Sequence, residues 1–409
     1  MERKFKTRIL TVDQAKLKEE ILLQVGSTEI GATKIANKGK IFYILIEDVK
    51  PVIANVIKQE MLSIGADAAV ARGALDLSVD KCNVLLVGNL KQYKQLAIKI
   101  KAQPFSLKYL GKEILKLIED FNKDNFTLFS KDRVIELENK SYVMGILNTT
   151  PDSFSDGGEF LDINKALKRA EIMLEEGADF IDIGGESTRP GALKVSLDEE
   201  LKRVIPVIEA IKREFPESIV SIDTYKSKVA LEAVNCGADI INDISGLKFD
   251  SNMAKTVVEK RVPVIIMHIK GTPENMQKNP VYKNLLNEIS DYFRESLNIL
   301  KEKGGNAKNV IIDPGIGFGK TFEHNLTILN RLGEFKSFGC PLLIGASRKS
   351  FIGAILNKDN AKERLFGSIS AAVISAIKGA KIIRVHDVKE TVEAIKVAEA
   401  IKNENIGLK

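Results

Sequence analysis

A chain of 409 residues is too long for one average domain, and its 44% hydrophobic and 28% charged side chains fit a globular protein rather than a disordered one. Trp is absent and aromatics make up only 6%, which argues against a stacking platform for single-stranded nucleic acid. The formal charge of +6, from 61 Lys and Arg against 55 Asp and Glu, is a mild excess: it reads either as a solvated surface or as an electropositive mouth for an anionic substrate.

In chain order, Lys40–Glu47 is a β-rich run and Pro51–Ile64 reads as a helix, with Pro at its first position and Gly65 at its end. Asn83–Gly88 is a second apolar strand, and Leu90–Gln103 and Leu107–Phe121 read as amphipathic helices. Residues 1–130 are therefore expected to form a small α+β domain with no chemistry that can be named; Asp76 and Asp80 beside Arg72 read as ordinary surface charges, with a small site as the alternative. The stretch Phe121–Lys140, FNKDNFTLFSKDRVIELENK, is polar and without sustained period, which predicts a linker, set at residues 131–140.

From Ser141 the pattern turns regular. Short apolar strands are expected at Tyr142–Leu147, Phe180–Gly184, Ile219–Asp223, Asp239–Asp243, Pro263–His268, Val310–Asp313, Pro341–Gly345 and Lys381–Val385, each gap carrying a helical pattern. Ser196 and Glu199 read as a capping box, and Asp387 with Glu390 as another. Gly177 and Gly237 stand where helices should stop. Eight strands alternating with helices over residues 141–409 predict an α/β fold, a (β/α)8 TIM barrel preceded by the smaller α+β domain. An open doubly wound sheet would carry a Gly-rich turn after its first strand, and no G-x-G-x-x-G follows Leu147.

Three cysteines, Cys82, Cys236 and Cys340, lie far apart without metal-ligand spacing, as expected of reduced thiols in a reducing compartment. The charged start MERKFKTRIL lacks the apolar core of a secretory signal, and the longest apolar runs, such as Val262–Met267, are strand-sized. These features predict a soluble cytoplasmic protein without membrane or nucleic-acid partners.

Nearly every barrel strand ends in a polar residue: Asn148, the GGESTRPG run (Gly184–Gly191), Asp223, Asn242 with Asp243, His268, Asp313, Ser347-Arg348-Lys349, and Arg384 with His386. Any one of them reads as a helix cap or a structural histidine. Together they converge on the face where barrels place their catalytic groups, and describe a ligand with hydrogen-bond donors at one end and an anion at the other. The loops Thr149–Phe160 and Gly185–Lys194 look long enough to close over it.

The motifs MGILNTTPDSFSDGG (Met144–Gly158), DIGGESTRPG (Asp182–Gly191), SIDT (Ser221–Thr224), DIINDI (Asp239–Ile244), DPGIGFGK (Asp313–Lys320), GASRKS (Gly345–Ser350) and RVHD (Arg384–Asp387) resemble those of the dihydropteroate synthases in order and spacing. The resemblance spans Ser141–Lys409 and leaves Met1–Lys140 uncovered. It implies condensation of 6-hydroxymethyl-7,8-dihydropterin pyrophosphate with p-aminobenzoate to give 7,8-dihydropteroate, in a pocket that sulfonamides also enter. It further implies a pterin site of Asp223, Asn242, Met267, Asp313, Gly317, Gly345 and Lys349. A pyrophosphate site would comprise Asn148, Thr188, Arg384 and His386, with Mg2+ on the Asn148 amide oxygen. The p-aminobenzoate pocket would be Thr188, Arg189, Pro190, Phe318 and Ser350, and the groups most directly involved in catalysis Asp223, Lys349, Arg384 and His386. The family commonly forms homodimers, for which the small-residue helix Gly367–Gly379 is a candidate face. Two rival readings are a pterin-binding methyltransferase on the same barrel, which would need none of the STRP loop, the SRK turn and the Arg-x-His pair, and a non-catalytic pterin-binding paralogue.

Overall fold

The computed structural model describes residues 7–12, 14–105, 107–149, 159–187 and 194–405. The chain divides into two units, Met1–Asp120 and Phe121–Lys409.

The first unit is built on a three-stranded antiparallel sheet of β1 (Ile41–Val49), β2 (Asp67–Val70) and β3 (Cys82–Asn89), in the order β1-β3-β2. Period-two alternation turns Val84, Leu86, Phe42 and Ile44 inward. The helix Pro51–Ser63 starts on a proline whose missing N–H costs nothing at that position, and chain direction changes at Gly65 (φ 67). Asn89 and Gln92 cap the helix Leu90–Lys99 reciprocally, and Tyr93 Oη donates to the Phe42 carbonyl across the unit at 2.9 Å. The sequence reading missed the helices Gln14–Glu20 and Glu29–Gly39 and the strand β2, whose DAAV sequence offers little β propensity.

The second unit opens with a hairpin, β4 (Phe126–Ser130) and β5 (Arg133–Leu137). Eight parallel strands follow: β6 (Tyr142–Asn148), β7 (Phe180–Gly184), β8 (Ile219–Asp223), β9 (Ile240–Asp243), β10 (Val264–Met267), β11 (Val310–Asp313), β12 (Leu343–Ile344) and β13 (Ile382–Val385). They pair in the order β11-β10-β9-β8-β7-β6-β13-β12, and a single bridge, Ile312 with Leu342, closes the circle. This is the predicted barrel. Its strands are buried on both faces, which is why they read as continuous apolar runs rather than alternating ones. β12 is shorter than expected, and Leu342 ahead of it pairs with Ile312 only as an isolated bridge.

The predicted linker is corrected by the structure. Phe126, Leu128, Ile135 and Leu137 turn inward and pack with Tyr142, Met144, Phe180, Ile240, Ile265, Ile311, Leu343 and Ile382, the inner side-chain layer at the amino ends of the strands. That layer would otherwise face water, so the hairpin is a plug belonging to the barrel. It is tied there by Ser130 Oγ to the Asp239 carbonyl (2.7 Å) and by two bonds between the Asn309 amide and the Phe129 backbone (2.7 and 2.8 Å). The division between units thus falls after Asp120, ahead of both the expected end of the first domain at residue 130 and the start of the barrel domain at 141.

Gly177 (φ 96) and Gly237 (φ 115) end their helices in the left-handed region, as expected. Both expected capping boxes change on inspection. Ser196 accepts from the Glu199 N–H, but the Glu199 carboxylate turns to Arg203 (2.9 Å). Asp387 caps nothing with its side chain and instead grips Arg348. No helix among the described residues is long and apolar enough to cross a membrane.

A candidate active site at the carboxyl ends of the barrel strands

The most tightly built part of the mouth is centred on Arg384 from β13. Its Nε donates to Asp182 Oδ2 on β7 at 2.6 Å and a terminal nitrogen to Asp223 Oδ2 on β8 at 2.7 Å. Asn242 on β9 donates to the same Asp182 oxygen at 3.1 Å. Four strands are thereby stitched together by one polar network. Burial works against the Arg384 cation, but Asp182 and Asp223 outweigh it and hold it charged. One guanidinium cannot answer two carboxylates. Burial pushes the Asp223 carboxyl up to about 7, with Arg384 opposing and Asp182 adding to the rise. Asp182 was not among the expected site residues. It is fully buried with Oδ1 unpartnered, and its signal in the sequence was an acid in the middle of an apolar strand, FIDIG.

Asp313 ends β11 with its carboxylate accepting from the Gly315 N–H at 2.7 Å; burial pushes it up to about 6 against Gly315, Lys349 and Lys320. Gly317 (φ 82) leaves room for Lys349, whose Cδ would lie 3.2 Å from any Cβ placed there. The Lys349 ammonium sits 4.3 Å over the Phe318 ring, a cation–π contact that fixes both side chains. Met267 packs in the same apolar cluster as Phe318, and Gly345 lies beside the Arg384 stem, where a Cβ would stand in ordinary contact at 3.9 Å.

His386 follows Arg384 by two residues, and its Nδ1 is 3.0 Å from Ser347 Oγ, which also accepts from the His386 N–H. Burial, then Arg384 and Arg348, hold its imidazole down to about 3, so it is neutral at physiological pH. Arg348 takes a left-handed turn (φ 59) and is tethered to Asp387.

Asn148 ends β6 half-buried. A Cβ on Gly184 would stand 3.7 Å from Asp223 Oδ2 and 3.9 Å from Asn148 Oδ1, so the bare glycine leaves both oxygens facing one space. Among the described residues no three His, Cys, Asp or Glu side chains gather as a metal site. A hard cation here would have to draw its remaining ligands from water and substrate oxygens, which Mg2+ commonly does.

Ser350 is exposed as the first residue of a short helix. Thr188, Arg189 and Pro190 lie outside the described residues, as does most of the loop Thr149–Phe160. The root of the second loop is described. Lys226 bridges Glu186 and the buried Glu200, Tyr225 donates to Glu186 at 2.9 Å, and Arg203 holds the Gly185 carbonyl at 2.9 Å. Asp243, adjacent to Asn242, serves the fold: its carboxylate accepts from the Ser245 and Leu247 N–H groups and from Ser245 Oγ.

A cavity of about 330 Å³ lies at the opposite end of the barrel, beside Ser141 and Lys381, and none of these site residues lines it. Its walls include the carboxyl ends of the helices Leu365–Ile377 and Val388–Asn403, where lysines offset the helix dipole.

The sequence profile of a family described as pterin binding enzyme matches residues 144–386. The dihydropteroate synthase of Escherichia coli (strain K12) is 49% identical over 273 residues, covering 67% of this chain and 95% of that protein. A crystal structure of the Yersinia pestis dihydropteroate synthase in complex with a sulfonamide drug matches with a TM-score of 0.64 and 44% identity, covering 68% of this chain and 100% of that one. A probable bifunctional folylpolyglutamate synthase/dihydropteroate synthase of Haloferax volcanii is 37% identical over 363 residues, 86% of this chain but 42% of that protein. A share that large extends past the barrel unit into the first.

Proposed function

The chain belongs to the dihydropteroate synthase family of pterin-binding enzymes, and from that premise we propose how its residues divide the reaction. The enzyme is a transferase of folate biosynthesis that joins 6-hydroxymethyl-7,8-dihydropterin pyrophosphate to p-aminobenzoate, releasing pyrophosphate.

Asp223, Asn242 and Asp313 hold the pterin through the N–H donors of its 2-aminopyrimidine edge, a pattern that carboxylates and amides accept in pairs. Lys349 answers the ring's acceptor atoms, and Met267, Gly317 and Gly345 form the walls of the slot. Asn148, Thr188, Arg384 and His386 bind the pyrophosphate, and the p-aminobenzoate pocket is made by Thr188, Arg189, Pro190, Phe318 and Ser350. The observation that carries this reading is Arg384, which spans the two halves: its guanidinium is fixed by Asp182 and Asp223 while its neighbour His386 stands neutral, able to donate to an anion.

The bond that breaks joins the pterin methylene to a pyrophosphate oxygen, which leaves with the electron pair. Arg384 and His386 stabilise that departing anion, and Asp223 and Asp313 the positive charge that the dihydropterin ring spreads from the methylene. The arylamine nitrogen then attacks the methylene carbon and loses a proton. It is neutral and nucleophilic at pH 7, so no strong general base is needed. Asn148, whose oxygen borders the space above Gly184, would hold a Mg2+ ion jointly with substrate oxygens; when bound, Mg2+ would add Lewis-acid stabilisation of the pyrophosphate.

The enzyme works as a homodimer in the cytoplasm. Support for the dimer lies on the helix Leu365–Ile377, although the small residues do not form the face. Ser368, Ala371, Ala372, Ser375 and Ala376 are buried in the protomer, whereas Phe366, Ile374 and Ile377 are exposed. Support for the compartment comes from Cys82, Cys236 and Cys340, none of which is joined in a disulfide.

The test is pyrophosphate release from dihydropterin pyrophosphate with Mg2+, with and without p-aminobenzoate. Release that depends on p-aminobenzoate and is inhibited by a sulfonamide is expected. Pterin binding without release would return the barrel to the methyltransferase or paralogue reading.

A further inference from the structure

Lys320 and His268 are buried at the back of the site, 2% and 3% exposed, and neither has a role in the reaction as assigned above. Lys320 Nζ lies 2.8 Å from His268 Nδ1, 3.0 Å from the Phe318 carbonyl and 3.4 Å from the His268 carbonyl, and no carboxylate pairs with it among the described residues. A lysine amine keeps at least two N–H donors in either protonation state, enough for Nδ1 and for the Phe318 carbonyl. The contact therefore does not depend on charge.

The turn that Lys320 closes is packed backbone against backbone on the exit of β10. A Cβ on Gly315 would come within 2.0 Å of the His268 carbonyl oxygen, and one on Gly319 within 2.4 Å of the Lys270 carbonyl oxygen. Gln277 and Tyr282 hold the Gly317 and Gly319 carbonyls from outside (2.5 and 2.7 Å). Lys320 holds the carbonyl between them from inside, and that carbonyl belongs to Phe318, whose ring carries the Lys349 ammonium.

We propose that the Lys320–His268 pair is a positioning clamp: it presets Phe318, so that the second substrate meets a formed pocket. The clamp rests on the assignment of Phe318 to the p-aminobenzoate site. Removing it releases Phe318 without removing any group that touches the reacting atoms, so substrate affinity suffers before turnover does.

The experiment is steady-state pyrophosphate release by the full-length chain. Lys320→Met should raise KM for p-aminobenzoate about tenfold while kcat stays within about twofold. His268→Leu should match it, and the double variant should be no worse than either single one. His268→Asn places an amide oxygen where Nδ1 stood and should restore KM to near the wild-type value. If Lys320→Met does not fold, the comparison of His268→Asn with His268→Leu carries the test alone. An unchanged KM in Lys320→Met or His268→Leu, or a His268→Asn variant as impaired as His268→Leu, overturns the clamp. Absence of p-aminobenzoate-dependent release by the wild-type chain would instead overturn the functional assignment beneath it.

Discussion

Asp223 shares Arg384 with Asp182, and its burial, with the negative charge of Asp182 adding to the effect, has a measurable consequence. An acid whose pKa is raised by folding stabilises the native state fully below its unfolded value, near 4, and that stability is lost as pH climbs through the folded value of about 7. Asp223→Asn removes this acid, leaving Asp182 and Arg384 as a one-to-one pair. Its melting temperature relative to wild type should therefore rise between pH 5 and pH 8, a trend readable by scanning calorimetry. Turnover should move the other way, by about a hundredfold, because the asparagine no longer stabilises a cationic ring. Binding needs ionised acceptors, so kcat/KM for dihydropterin pyrophosphate should fall on an acid limb near pH 7. In Asp223→Asn the limb should retreat to about 6, the value to which burial pushes Asp313. His386, held down to about 3, should contribute no limb of its own. A limb that stays near 7 in the variant would show that another group sets it.

Among the elements, the hairpin β4–β5 and the root of the second loop carry the sharpest expectations. Leu128 is fully buried beneath the inner layer of the barrel, so Leu128→Ala should lower the urea-unfolding free energy of the barrel by about 2–5 kcal/mol. Lys226→Met strands Glu186 and Glu200 without their shared cation and should cost about 3–5 kcal/mol, with KM for p-aminobenzoate rising as the loop loses its anchor. These elements differ in how far the sequence disclosed them. The barrel strands were legible because burial on two faces makes most of them apolar, as VIIM and VIID show, and because most of their polar residues sit at the ends. The hairpin was not: five-residue strands with Phe126 and Leu128 inward and Thr127 and Glu136 outward carry too few alternations to stand out from the Lys, Asp and Asn around them. Asp223, Asn242 and Asp313 were legible as strand-end polar groups. Asp182 was hidden in a strand interior, and the Lys320–His268 pair joins residues 52 positions apart that no periodicity links.

At the scale of the molecule, the formal excess of +6 falls entirely within residues 1–120, and the barrel unit is balanced. Attraction of an anionic substrate is therefore a local property of Arg384, Lys349 and their neighbours, not of net charge. The same division decides where the chain can be cut. The Escherichia coli relative is matched over 95% of its length by 67% of this chain, so the barrel without a preceding unit of this kind is a working length in that protein. The Haloferax volcanii likeness covers 86% of this chain and so reaches into the first unit. A chain beginning at Phe121 keeps the hairpin plug and every candidate site residue. It should fold cooperatively and release pyrophosphate with kcat and KM within about twofold of the full-length values, since its local field is unchanged. A chain beginning at Ser141 loses Phe126, Leu128, Ile135 and Leu137 and exposes the layer they cover. It should aggregate or bind hydrophobic dyes even though all of its motifs are intact. If the longer truncation product folds but is inactive, the first unit is required for turnover, and its contribution must then be sought in the reaction rather than in the stability of the barrel.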